Sequence, residues 1–273
     1  MPRPLILLTN DDGLNSPGLK AAAEALMELG DLMVVAPKNQ QTGVGRALSP
    51  EHDGALFEEV FEVRGQRIPA YSLFGSPTQA VLHGVLELAP RRPDLVVSGI
   101  NYGENLGTVI TLSGTVGAAL EAADLGLPAL AVSQELPKEY HYNSPEGIDF
   151  SAAAYFTAFF ARILLKMPHI ADVDVLKVDV PLGATPETPW RVTRVSRQRY
   201  YHPVPRSRRH LWDKARMDYE TRIDFATLEP DSDIYAIVVD KVVSVTPLSL
   251  DLTSRIDLAD LQKALEDKIC TKQ

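Results

Sequence analysis

The sequence predicts an α/β fold built on a mostly parallel, doubly wound sheet flanked by helices. Two patterns point to it. Short, nearly continuous apolar runs recur at Leu5–Leu8, Leu32–Ala36, Leu95–Ile100 and Ala129–Ser133. Runs that do not alternate are typical of strands buried on both faces. Between them lie segments with apolar residues at helical spacing, and strands alternating with helices make a parallel sheet. The 273 residues, 45% hydrophobic and 23% charged, suit one large globular domain or a domain with appendages.

Taken in order, Pro4–Leu8 reads as the first strand and Thr9-Asn10-Asp11-Asp12-Gly13 as an acidic turn. Ser16-Pro17 supplies an N-cap and a first-turn proline. Leu19, Ala22, Ala23, Leu26 and Leu29 then recur at helical spacing, and Gly30 closes that helix. Leu32–Ala36 is a second strand broken by Pro37, followed by a polar loop, Lys38 to Gly45. Residues 55–73 alternate weakly around Gly65, as a hairpin would, and Ser76-Pro77 opens a helix through Leu88. Leu95–Ile100 is a strand leading into the Gly- and Asn-rich loop Asn101–Gly107. Ser113 precedes a helix with Val116, Ala119, Leu120 and Ala123 on one face, ended by Gly126 and Pro128. Ala129–Ser133 is a strand, 148–167 an apolar helix, and Val173–Val180 a further strand. Residues 1–182 form the core in this reading, and 183–273 an extension. Ile234–Val239 and Val242–Thr246 read there as extended segments, and Asp257–Ile269 as a helix with Leu258, Leu261, Leu265 and Ile269 in a stripe. So short a helix needs its own core or a second subunit to pack against.

Several classes are excluded or weakened. No run approaches the roughly 20 apolar residues of a membrane span. The run Leu5–Leu8, followed by Asp11-Asp12, is too short for a secretory signal, and Cys270 is the one cysteine, so a reducing cytoplasm is expected. A net charge of −9 speaks against general nucleic-acid binding. The turn after the first strand lacks the glycine fingerprint of a dinucleotide site, and the chain has neither a P-loop lysine motif nor a G-x-S-x-G elbow. The stretch Arg191–Arg222 carries ten arginines and lysines against Asp213, Asp218 and Glu220, with Tyr200, Tyr201, His202, His210 and Trp212 interleaved. It reads as a solvated extension pairing with a partner subunit, or as an anion-binding arm meeting a nucleotide base and phosphate or single-stranded nucleic acid.

The chemistry centres on Asp11 and Asp12. Adjacent carboxylates at a strand's carboxyl end repel, so they either take up a proton or share a cation. Thr42 follows the second strand and Asn101 a third, so a doubly wound sheet brings all four into one crevice. Carboxylate, hydroxyl and amide oxygens select a hard ion such as Mg²⁺, Mn²⁺ or Ca²⁺. Gly114 and Thr115 stand at a helix start, where free amides favour an anion; Ser113 there could equally be a plain N-cap. A phosphate at that helix and a cation on Asp11 and Asp12 would make a phosphoryl-transfer site.

The motifs Leu7-Leu8-Thr9-Asn10-Asp11-Asp12-Gly13, Val34-Val35-Ala36-Pro37, Val97–Gly107 and Ser113-Gly114-Thr115-Val116-Gly117-Ala118-Ala119 resemble the survival protein SurE family, as does Val243-Ser244-Val245-Thr246-Pro247-Leu248. The resemblance runs from residue 5 to about 254. It implies a Rossmann-like core with a protruding β-hairpin and a swapped C-terminal arm that builds homodimers or homotetramers. It also implies a metal-dependent 5′/3′-nucleotidase acting on nucleoside monophosphates, with one Mg²⁺ or Mn²⁺ per subunit on Asp11, Asp12 and Asn101. The family's fourth ligand is a serine, replaced here by Thr42. Gly75-Ser76-Pro77-Thr78-Gln79-Ala80, Leu112 and Ser249 are further departures from the family pattern. In the expected mechanism the cation binds phosphate and activates a water, and Asp11 or Asp12 takes its proton. Asn105, Ser113, Gly114 and Thr115 serve the phosphoryl group. Direct attack by Asp11 is the mechanistic alternative, and a nucleotide-binding or scaffolding oligomer with little turnover is the rival from another class.

Overall fold

A computed structural model describes residues 2–50, 53–141, 147–215 and 217–270, with side chains up to 267 at the C-terminus. Eleven strands and five α-helices are present among these residues. The strands are β1 (Leu5–Thr9), β2 (Asp31–Pro37), β3 (Leu56–Val63), β4 (Gln66–Leu73), β5 (Leu95–Tyr102), β6 (Ala129–Gln134), β7 (Val175–Val180), β8 (Trp190–Val192), β9 (Tyr201–Val204), β10 (Asp218–Thr221) and β11 (Val243–Leu248). The helices are α1 (Pro17–Leu26), α2 (Pro77–His83), α3 (Gly114–Asp124), α4 (Ser151–Leu164) and α5 (Leu258–Cys270). Nine strands form one sheet in the order β3-β4-β2-β1-β5-β6-β7-β11-β8. From β4 to β7 every pairing is parallel. The order reverses between β1 and β5, so the crevice at their carboxyl ends is the topological switch point of a Rossmann-like sheet.

The two-residue period of the strands divides the core. Ile6 and Leu8 of β1 face the layer holding Leu19, Leu26, Phe156 and Phe160 of α1 and α4. Leu7 faces the opposite layer, with Val81 of α2 and Val116, Ala119 and Ala122 of α3. Burying each large side chain contributes about 1.5–3 kcal/mol. The predicted caps are in place: the Ser16 side chain accepts from Leu19 N, Ser76 from Gln79 N within a capping box, and Ser113 from Val116 N. Gln79 therefore spends its side chain closing the start of α2, which explains one departure from the family pattern.

The 55–73 hairpin is β3–β4, and it extends the sheet edge next to β2. The extension also returns to the sheet, β11 lying antiparallel to β7 and β8 parallel to β11. Its protruding hairpin is β9–β10. One expectation fails: Ile234–Val239 is not extended. Residues Tyr235–Val239 form a single π-helical turn. β-Branched composition suggested a strand, but Ser232 accepts from Tyr235 N through its hydroxyl and from Ala236 N through its carbonyl, which starts a helical turn. Ile234 and Ile237 are thereby buried against Leu106 and Tyr200. Helix α5 is present, yet Leu258, Leu261 and Leu265 are 64%, 38% and 58% exposed, so nothing among the described residues covers this part of its stripe. The Ile269 side chain lies outside the described part. No helix among the described residues is long and apolar enough to cross a membrane.

Candidate active site

Buried strand β1 ends in four polar residues that are themselves buried: Thr9, Asn10, Asp11 and Asp12. Asn10 closes the turn, donating to Gly13 O at 3.1 Å and Ser16 Oγ at 2.7 Å. That leaves Asp11 and Asp12 at the switch point. Asp11 Oδ1 accepts from the Thr115 hydroxyl at 2.5 Å. Asp12 Oδ1 accepts from Gln40 Nε2 at 2.8 Å and Oδ2 from Tyr102 N at 3.0 Å. Burial raises the pKa of both carboxyls, and the charge of Asp11 raises Asp12 further.

Asp11 opens onto a cleft of about 210 Å³ that Thr42, Asn101, Asn105 and Ser113 also line. The sheet thus brings these five residues together from the end of β5 and from the connections after β1, β2 and β5. Asp12 sits alongside, tied to the start of the Asn101–Gly107 loop through Tyr102 N. Asn101 donates its amide nitrogen to Gly103 O at 2.6 Å, which leaves its carbonyl oxygen as an acceptor. Thr42 is exposed at the rim. Asn105 donates to Ser133 Oγ at 2.8 Å.

Gly114 and Thr115 are placed differently from expectation. Neither lines the cleft. Their amides and the Thr115 hydroxyl reach the Asp11 carboxylate, so the positive end of α3 acts on a side chain of the protein itself. Sequence reasoning did not single out Glu104, His141, Arg199 or Tyr219, all of which line the cleft. Glu104 stood inside a quoted motif and Arg199 and Tyr219 inside the basic arm, but nothing in their spacing announced that the hairpin folds back over the cleft. Arg199 is the one permanently cationic side chain among the described lining residues. His141 donates from Nε2 to Leu136 O at 2.9 Å and accepts at Nδ1 from the Tyr219 hydroxyl at 2.7 Å, and burial lowers its pKa.

The donor set fits a hard divalent cation. Among the described residues no group of three or more His, Cys, Asp and Glu side chains gathers, so a soft-metal site is not built. Two neighbouring buried carboxylates are, and their hydrogen bonds come from neutral donors. Leaving such charges uncompensated costs on the order of several kcal/mol per ion, which a cation on their remaining lone pairs would offset.

Fold and cleft together define a Rossmann-like α/β protein with an oxygen-rich, doubly acidic site at its switch point. The family model described as Survival protein SurE matches residues 6–202, and the chain belongs to that family. It is 40% identical over 265 residues to the 5′-nucleotidase SurE of Thermococcus gammatolerans, spanning 95% of each chain. It is 42% identical over 258 residues to the 5′-nucleotidase SurE of Archaeoglobus fulgidus, spanning 92% of this chain and 94% of that one. The crystal structure of the SurE protein from Aquifex aeolicus superposes with a TM-score of 0.74 at 32% identity, covering 97% of this chain and 99% of the other.

Proposed function

We propose that the chain is a divalent-metal-dependent phosphomonoesterase that hydrolyses nucleoside 5′- and 3′-monophosphates to nucleoside and phosphate. The observation that carries this reading is the buried Asp11–Asp12 pair, without a cationic partner in its hydrogen bonds, at a cleft large enough for a phosphate and part of a nucleoside. The name of both relatives, 5′-nucleotidase SurE, supports the 5′-nucleotidase part of this reading.

Asp11, Asp12, Asn101 and Thr42 would hold one Mg²⁺ or Mn²⁺, which supplies phosphate binding and a water of lowered pKa. Asp12 accepts the proton of the attacking water. Asp11 is held from behind by Thr115 and the α3 amides, which keeps its carboxylate aimed into the cleft. Water attack is the step proposed here, and labelled substrate leaving phosphate on the protein would instead identify Asp11 as the nucleophile. Asn105 and Ser113 contact the phosphoryl oxygens, and Arg199 offsets their charge at the mouth. Exposed α5 and the β9–β10 hairpin serve a homodimer or homotetramer, and a cytoplasmic setting completes the reading.

The test is phosphate release over a panel of nucleoside monophosphates, with and without chelator. Turnover is expected to vanish on chelation and to fall about 100-fold or more in Asp12→Asn. Chelator-resistant turnover, or a wild-type rate in Asp12→Asn, sinks the metal mechanism. No turnover with any monophosphate returns the case to a binding or scaffolding oligomer.

A further inference from the structure

Beneath the cleft, and outside it, lies a cluster of three buried charges. Lys177 of β7, Asp179 two residues on, and Asp233 before the π-turn all have fully buried side chains. Lys177 Nζ donates to Asp179 Oδ2, to Asn105 O at 2.8 Å and to Asp233 Oδ2 at 3.3 Å. Asp179 Oδ1 accepts from Asn105 N at 2.7 Å, and Asp233 Oδ2 from Gly107 N at 3.1 Å. The second Asp233 oxygen accepts from Ser196 N and Ile234 N, each at 2.9 Å.

A stability role explains this poorly. Buried ion clusters are often no better than apolar packing of the same volume, because desolvation offsets their attraction. Burial works against both signs here. Two carboxylates nevertheless hold the Lys177 ammonium above its ordinary range, while burial, and after it the charge of Asp233, pushes Asp179 up to about 6. What the cluster does achieve is local. Both hydrogen-bonding groups of the Asn105 backbone, and the amide of Gly107, end on these three charges. Gly107 itself cannot be another residue without strain: its φ is +61°, and a Cβ would stand 2.3 Å from Gln198 O. The chain between them is further anchored by Leu106, buried against Tyr200 and Ile234.

We propose that Lys177, Asp179 and Asp233 are positioning residues for Asn105, clamping the 105–107 backbone so that the Asn105 side chain meets the phosphoryl group. The inference rests on the phosphate-binding role given to Asn105 above. It adds a dependence of the site on the C-terminal extension, since Asp233 and Ser196 belong to that extension and Asn105 to the core. The cleft is then correctly shaped only when the 196–234 region is docked.

A double-mutant cycle tests it, with Asp233→Asn, Asn105→Ala and the pair, assayed as full-length, metal-loaded protein on a nucleoside 5′-monophosphate. Asp233→Asn is nearly isosteric, and in either orientation its amide nitrogen opposes two donors, Gly107 N with Lys177 Nζ or Ser196 N with Ile234 N. Misplacing one contact by about an ångström costs up to roughly 100-fold, and a loss of about 10- to 100-fold in kcat/KM is expected. Mn²⁺ affinity, read by electron paramagnetic resonance, stays within about two-fold, because no metal-holding residue moves. In the Asn105→Ala background the further loss shrinks to about two-fold or less. An equal loss in both backgrounds overturns the positioning role, as does an unimpaired, folded Asp233→Asn. Wild-type kcat/KM in Asn105→Ala instead overturns the phosphate role of Asn105, and the proposal with it. Asp179→Asn repeats the cycle should Asp233→Asn fail to fold.

Discussion

Asp11 is surrounded so closely that a single methyl group decides its position. Gly114 opens α3 directly against it, and a Cβ there would fall 2.8 Å from Asp11 Cβ and 2.9 Å from Oδ2. Glycine is therefore required by contact rather than by backbone angle. Gly114→Ala is expected to lower stability by about 1–3 kcal/mol, the usual cost of overpacking, while phosphate release falls about 100-fold because Asp11 is displaced. Parallel thermal melts and phosphate assays measure both, and a folded Gly114→Ala with the wild-type rate contradicts the account. The same crowding explains why the α3 start could be found in the sequence but not its target. Ser-Gly-Thr before a helical period announces free amides; which anion they meet depends on how close β1 comes, and that is a property of packing.

At the scale of elements, the β9–β10 hairpin is what turns an open crevice into a cleft. It is fastened on one side through His141, whose ring stacks on Tyr219 at 6.0 Å and shares a hydrogen bond with it. Lys138 adds a bond to Asp218 Oδ1 at 2.5 Å. Burial depresses the His141 pKa below its ordinary 6.5, so the neutral ring is the form the fold accepts. Between the lowered folded value and 6.5 the unfolded chain binds more protons. This contribution is thus complete above about pH 6.5 and is lost as pH falls through the folded value. His141→Gln keeps a donor for Leu136 O and an acceptor for Tyr219 but does not titrate. The gap in melting temperature between His141→Gln and wild type is expected to narrow as pH drops from about 7.5 to about 5.5. A gap that stays constant across that range removes His141 as a titrating fastener.

For the molecule as a whole, the sheet edge and α5 pull in different directions. The extension returns β11 and β8 to the sheet beside β7. Beyond Leu248 the chain leaves the core, and α5 exposes every described side chain. An amphipathic helix of this length is marginal by itself in water. Deleting residues 257–273 is expected to leave metal-dependent turnover within about two-fold and the core melting transition little changed at low concentration, because distant, uncoupled parts add independently. On the homo-oligomer proposed above, size by light scattering is expected to fall, since the exposed apolar stripe would then lie against a second copy. An unchanged assembly size rejects α5 as the association element.

How far the sequence reached follows from these cases. The parallel sheet, the caps at Ser16, Ser76 and Ser113, and the cleft position of Asp11, Thr42 and Asn101 were legible because strand period, capping chemistry and the switch-point rule act over a few residues or through sheet order. The π-turn at Tyr235–Val239 was not, since Ile and Val favour strands until a tertiary pocket for Ile234 and Ile237 decides otherwise. Nor was the pairing of Lys177 with Asp233, separated by 56 residues. By itself the sequence determined which elements form and which strand ends carry oxygen donors. Only the tertiary structure decided what the α3 amides hold, what closes the cleft and what clamps Asn105, because those contacts join segments that no local period connects.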